Sequence, residues 1–156
     1  MRILALDTST EWCSVAVGDG AVWHRLDEHA GQAHSERVLP MVHAALAEAG
    51  WTLASLDGLA FGAGPGSFTG LRIGLSAARG LGLALNLPVI GVPSLLALSL
   101  TVSGPSVVLL DARRDEAYFQ VFSGPGIPVG GPELLPMDEA RRRVPAGAEL
   151  FTSPFI

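Results

Sequence analysis

The chain of 156 residues contains no lysine; all ten of its basic side chains are arginine. Chemistry that runs through a lysine amine, such as Schiff-base formation, is therefore excluded, and so is a complete Walker-type phosphate loop. Cysteine is nearly as scarce. Cys13 stands alone and has no internal disulfide partner. The opening MRILALDTST lacks the charged-then-apolar order of a secretory leader, so a cytoplasmic location is the expectation. Acidic residues outnumber the arginines and leave a net charge of −5. That balance argues against a chain that grips a nucleic-acid backbone unaided, because such binding rests on clustered cations. A nucleic-acid role would need a basic partner.

Charge is missing altogether from one region. Between Asp57 and Asp111 the only charged side chains are Arg72 and Arg79, and residues 80–110 carry none. Residues 81–102 have the length of a membrane span, for which about 20 apolar residues suffice. Asn86, Pro88, Gly91 and Pro93 interrupt the run, however, and it reads better as a helix end, a short strand PVIGV and a new helix from Ser94. No membrane span is expected. With 49% hydrophobic residues the chain is not disordered, and its length fits one domain and the beginning of a second.

The elements follow from the pattern. ILALD, residues 3–7, is a continuous apolar run ending in an aspartate, as in a buried strand that opens into a loop. WCSVAV and AVWHRL flank Asp19-Gly20 as a hairpin. Val38, Val42, Ala45, Leu46 and Ala49 recur at helical spacing, with Gly50 as the stop. That helix starts either at Ser35, with Pro40 bending it, or close to Leu39. Strand LAFG, a loop 62–66 and a long helix over 67–85 follow. Then the chain restarts: ILALD-TSTE-WCSVAV and VVLLD-ARRDE-AYFQVF place Asp7 and Asp111 equivalently, at the end of a buried strand before a short polar link and an alternating strand. This is the signature of a duplicated unit. A short helix over 138–144 and a strand at 150–151 come after it. The expected division is a first lobe over 1–103 and a partial second lobe over 104–156.

Candidate chemistry is sparse. His24, His29, His34 and His43 form neither HxxxH nor HExxH, and no cysteine pair accompanies them. His24 reads as a strand side chain and His29 and His43 as solvated imidazoles, which leaves His34 as a contact residue. GPGSFTG is not a nucleophile elbow, and Ser67 reads as a helix N-cap. The glycine-rich loop before it is a weak anion site. Gly70, Gly74, Ala78 and Gly82 fall at four-residue spacing and form a ridge almost without side chains. Each helical glycine costs about 1 kcal/mol relative to alanine, so close backbone approach must offset it. Either a partner helix or the chain's own sheet packs on that ridge, and Arg72 and Arg79 on the opposite side serve docking or are simply solvated.

The stretches LALDTST, HSERVLP, AFGAGPGSFTGLRIGLSAARGLGLAL, PVIGVPSLLALS and LLDARRDEAYFQVF resemble the TsaB (YeaZ) family, and GPGSFTGLRIG is its most specific motif. The resemblance implies an α/β protein of actin/Hsp70-like (ASKHA) fold with duplicated ribonuclease-H-like lobes, the second incomplete because the chain stops at PFI. It implies a non-catalytic subunit that binds and activates TsaD, the transferase that forms N6-threonylcarbamoyladenosine on tRNA next to the anticodon. TsaE is an implied further partner, a homodimer is implied without TsaD, and tRNA is implied only through the complex. Partner binding would fall on His34, Ser35, Leu39, Val42, Leu46, Gly70, Arg72, Gly74, Ala78 and Arg79. TsaD carries a metal-binding HxxxH where this chain has Ser94 and Leu98, so no metal is expected. The phosphate loops look degenerate: Asp7 is followed by Thr8 and Ser9, and Asp111 by Ala-Arg-Arg, without the flexible glycines. No cofactor is implied, with weak ATP binding or a glycoprotease-like peptidase as the alternatives.

Overall fold

The computed structural model describes residues 1–152. The chain divides into two units, Met1–Val92 and a second from Pro93 onward. The division lies ahead of the expected 103/104, and the helix beginning at Ser94 belongs with the second unit.

The first unit is a five-stranded sheet with two helices. β1 (Ile3–Asp7), β2 (Trp12–Gly18), β3 (Trp23–His29), β4 (Gly58–Gly62) and β5 (Val89–Val92) lie in the order β3-β2-β1-β4-β5. β1 pairs antiparallel with β2 and parallel with β4, and β5 continues the parallel half. The hairpin joining β2 to β3 is held by Asp19, whose carboxylate accepts from the Ala21 and Val22 amides, and Gly20 takes the left-handed φ of 99°. Leu4, Leu6, Val15, Val17 and Leu59 face a common core with Val38, Val42, Ala45 and Leu46 of α1 (His34–Ala49). α1 starts before either expected position and runs through Pro40. Gly50 ends it in the left-handed conformation, its amide donating to Ala47 O.

α2 (Phe68–Leu85) opens as the sequence predicts. Ser67 caps it, the hydroxyl accepting from Gly70 N at 3.3 Å. The row Gly70, Gly74, Ala78 and Gly82 is its buried face. A methyl at Gly70 would run into the Thr8 carbonyl, one at Gly74 would lie 2.6 Å from Thr8 Oγ1, and one at Gly82 would meet the Val89 side chain. The ridge is the seat of α2 on its own sheet.

The second unit repeats the plan. β6 (Ser106–Arg113), β7 (Glu116–Gly124), β8 (Ile127–Pro136) and β9 (Glu149–Thr152) lie in the order β8-β7-β6-β9. β6 pairs antiparallel with β7 and parallel with β9, as β1 does with β2 and β4. α4 (Met137–Arg142) stands between β8 and β9 as α1 stands between β3 and β4. One sheet face packs Val107, Leu109 and Phe119 on Met137 and Ala140; the other packs Val108, Leu110 and Phe122 on Leu95 of α3 (Ser94–Ser99). The duplication reaches single hydrogen bonds. Asp7 Oδ1 accepts from Ser9 N at 2.6 Å, and Asp111 Oδ1 from Arg113 N at 2.7 Å. At the β6–β7 turn Arg113, Arg114 and Asp115 all take left-handed backbone with φ of 67°, 54° and 63°. A tight hairpin of this hand normally recruits Asn-Gly. Here Asp111 and the bond from Met137 N to Asp115 O, 2.8 Å, hold the turn without glycine.

The two classes of glycine in α2 give opposite expectations. Gly70→Ala forces backbone apart and is expected to lower stability by about 2–3 kcal/mol. Gly80 has open space where its side chain would be, so Gly80→Ala is expected to raise stability by about 0.5–1 kcal/mol. Urea unfolding followed by tryptophan fluorescence distinguishes them; equal effects would contradict this seating of α2.

Candidate partner-docking surface

Once α1 and α2 are seated on the sheet, their outer flanks leave a groove of about 540 Å³ between them. Ser35 and Leu39 line it from α1, and Phe68, Arg72 and Ser76 line it from successive turns of α2. Phe68 is 75% exposed and Leu39 46% exposed, a large apolar area to leave in water. The Arg72 guanidinium stands over the Phe68 ring, 5.3 Å from its centroid, so the one cation among the described residues lining the groove is stacked on its main apolar group.

The structure sorts the ten candidate partner-binding residues into three groups. Ser35, Leu39 and Arg72 share this groove. Arg79 does not: it lines a second groove, on the flank of α2 that faces β5. The remaining six are inside the unit. Val42 and Leu46 are core residues, and Gly70, Gly74 and Ala78 lie against the sheet. His34 is 5% exposed, with Nε2 3.3 Å from the Trp12 carbonyl, so it links α1 to β2 and presents no surface. These six are corrected from surface to interior: the helical spacing of Val42, Leu46, Gly70, Gly74 and Ala78 reports burial, which a sheet satisfies as well as a partner does, and His34, kept as a contact residue at the helix start, contacts its own sheet. Phe68 is the residue that sequence reasoning passed over. Its signal was the row Phe68, Arg72, Ser76 at four-residue spacing, away from the glycine row.

The phosphate-loop positions are engaged elsewhere. Thr8 and Ser9 are buried. Thr8 Oγ1 donates to Gly70 O at 2.7 Å, and Ser9 O accepts from Ser67 N at 2.7 Å. Gly66 approaches so closely that an added methyl would lie 2.5 Å from Ser9 O. The Ser67 and Gly70 amides, two of the donors with which a helix start holds an anion, are thus already bonded within the chain. Asp7 packs its carboxylate over Gly62, where no side chain fits. Asp111 is exposed at its strand end. Ser94 is buried and Leu98, also on α3, packs partly buried against the core of the second unit, and neither side chain is a ligand for iron or zinc. Among the described residues no three His, Cys, Asp or Glu side chains come together as a metal site. None of the described helices is long and apolar enough to cross a membrane.

Electrostatics tie α1 to the edge of its sheet. Arg37 donates twice to Glu28, from Nε and from a terminal nitrogen, each at 2.7 Å. The guanidinium holds the Glu28 carboxyl below its ordinary range and is itself raised. Beneath that pair Cys13 is fully buried, and burial, with smaller contributions from Glu28 and Asp7, pushes its thiol up to about 11.

Two sheets sharing one strand plan, each led by an aspartate at the end of its first strand, define an actin-like α/β protein of duplicated ribonuclease-H-like lobes, with four strands described in the second lobe against five in the first. A family model described as TsaD, tRNA N6-adenosine threonylcarbamoyltransferase, matches residues 26–124. The TsaB protein of Escherichia coli is 44% identical over 78% of this chain, and an uncharacterized protein of Mycobacterium tuberculosis is 38% identical over 93% of this chain and 82% of its own length. The crystal structure of YeaZ from Pseudomonas aeruginosa superimposes with a TM-score of 0.84 at 36% identity, covering 97% of this chain and 74% of that one. The chain belongs to the TsaB (YeaZ) family. It spans about half the length of the E. coli and Haemophilus influenzae TsaB proteins, 55% and 52%.

The Cys13 thiol gives a pH expectation. Its folded pKa lies above the unfolded value of 9.0, so its contribution to stability is complete below about pH 9 and is lost as pH rises toward 11. Native Cys13 is expected to resist alkylation at pH 8, and Cys13→Ala to lose part of the stability decline above pH 9. An alkylation rate equal to that of the urea-unfolded chain would contradict the burial.

Proposed function

We propose that this chain is a non-catalytic subunit in the biosynthesis of threonylcarbamoyladenosine on tRNA, and that it binds and activates a TsaD-type transferase through the α1–α2 groove. The carrying observation is the exposed Leu39 and Phe68 pair with Arg72 between the two helices. A monomer has no use for so much apolar surface on a face where its core is already complete. A partner presenting its own helix pair would bury it, with Arg72 supplying a charge-assisted contact at the centre. The names of the TsaB relatives and the match to the TsaD family model supply the pathway.

The same groove accounts for a homodimer in the absence of TsaD, since two copies can present identical helix pairs about a two-fold axis. The net charge of −5 accords with a subunit that reaches tRNA only within the complex. The bonded state of Thr8, Ser9, Ser67 and Gly70 favours a scaffold over an ATPase. The peptidase alternative gains nothing from the site, where His34 is held by a backbone carbonyl.

Co-expression with TsaD from the same source tests the proposal. Phe68→Asp and Leu39→Arg are expected to weaken the complex by about 2 kcal/mol or more, roughly thirtyfold, the loss typical of a central interface residue. Their urea midpoints should stay near that of the parent, because both side chains are exposed. Undiminished co-purification and tRNA modification with both variants would remove the groove from the interface.

A further inference from the structure

The two edges of the first sheet are treated differently. β3 ends one side with Arg25, Asp27 and Glu28 and two histidines in its seven residues, the charged dress that keeps an edge from pairing. β5 ends the other side as Val-Ile-Gly-Val, with no polar side chain. On its inner side Leu59 N donates to Pro88 O at 3.0 Å and Ala63 N to Val92 O at 2.8 Å. The backbone groups of the even-numbered residues therefore turn toward β4, and the N–H and C=O of Val89 and Gly91 point away from the sheet. Beside this edge runs the second groove, about 920 Å³, between β5 and α2. Leu83, 87% exposed, and the Phe61 ring form part of its apolar wall, and among the described residues Arg79 is the groove's only charged side chain and has no carboxylate partner.

We propose that β5 is a strand-acceptor edge: it takes an extended segment of a partner polypeptide, apolar at alternate positions and carrying a carboxylate that pairs with Arg79. The backbone of the segment bonds to the outward groups of Val89 and Gly91, and every second side chain enters the groove. At Gly91 a side chain would crowd Ala63 at 3.0 Å and the Phe61 ring at 3.2 Å, so glycine there lets that ring lie close against the edge strand. A second copy of this chain is the wrong occupant. Its own β5 brings another Arg79 and no acid, since residues 80–110 are uncharged. The edge lies on the opposite flank of α2 from the α1–α2 groove, so both surfaces can be occupied together.

The probe is a synthetic peptide, Thr-Val-Thr-Glu-Thr-Val-Thr, whose two valines and central glutamate share the groove-facing side of an extended strand, titrated into the full chain with NMR detection, with its Lys-for-Glu counterpart as control. The proposal expects shifts and slowed exchange at the Val89 and Gly91 amides with the acidic peptide only. It expects binding about tenfold weaker for Arg79→Glu and unchanged for Arg72→Glu. Unmoved amides, equal binding by Arg79→Glu, equal binding of the lysine peptide, or concentration-dependent protection of the two amides without peptide would each overturn it; the last would make the occupant a second copy.

Discussion

The first unit depends on how closely α2 can lie on the sheet. Thr8 is where the constraint is set: its hydroxyl bonds the Gly70 carbonyl, and its own carbonyl occupies the space a Gly70 side chain would need. Ser9 and Ser67 complete the joint through one backbone bond. The loop after β1, the glycine-rich loop after β4 and the first turn of α2 are thereby fastened into one piece. Everything outward follows from it. The flanks of α2 are presented at fixed angles, with Phe68 and Arg72 toward α1 and Arg79 and Leu83 toward β5. The loop after β1 serves to hold a helix.

Much of this was legible in the sequence. The strand at ILALD, the hairpin at Asp19-Gly20, the cap at Ser67 and the restart at VVLLD were each carried by local chemistry that leaves few alternatives. The duplication was visible because Asp7 and Asp111 sit in the same context, and the structure extends the likeness to the amide each carboxylate holds. The direction in which α2 faces was not legible. A row of glycines states that something comes close, without stating what, and only the fold shows that it is Thr8 and Val89.

The same ambiguity explains the site residues. Val42 and Leu46 share a helix with Ser35 and Leu39, yet the first pair is core and the second surface. Apolar periodicity marks both where the apolar stripe is wide. Arg72 and Arg79 are seven residues apart and share a face of α2, but about 10 Å separates them along its axis, and they border different grooves. Spacing places Phe68 in a row with Arg72 and Ser76, but only its exposure separates a docking face from a packed one.

The four-residue repeat of Gly70, Gly74, Ala78 and Gly82 has one more implication. A surface that repeats with the helix itself is a ruler without numerals: sliding α2 along the sheet by about one turn, roughly 5 Å, would set one small residue where another had been. The ridge therefore allows close approach but does not select the register. Selection falls to the two ends, where Ser67 N donates to Ser9 O at 2.7 Å and where, just beyond the left-handed Asn86, the chain joins the sheet as Leu59 N donates to Pro88 O at 3.0 Å. The zero of the ruler is written in its caps.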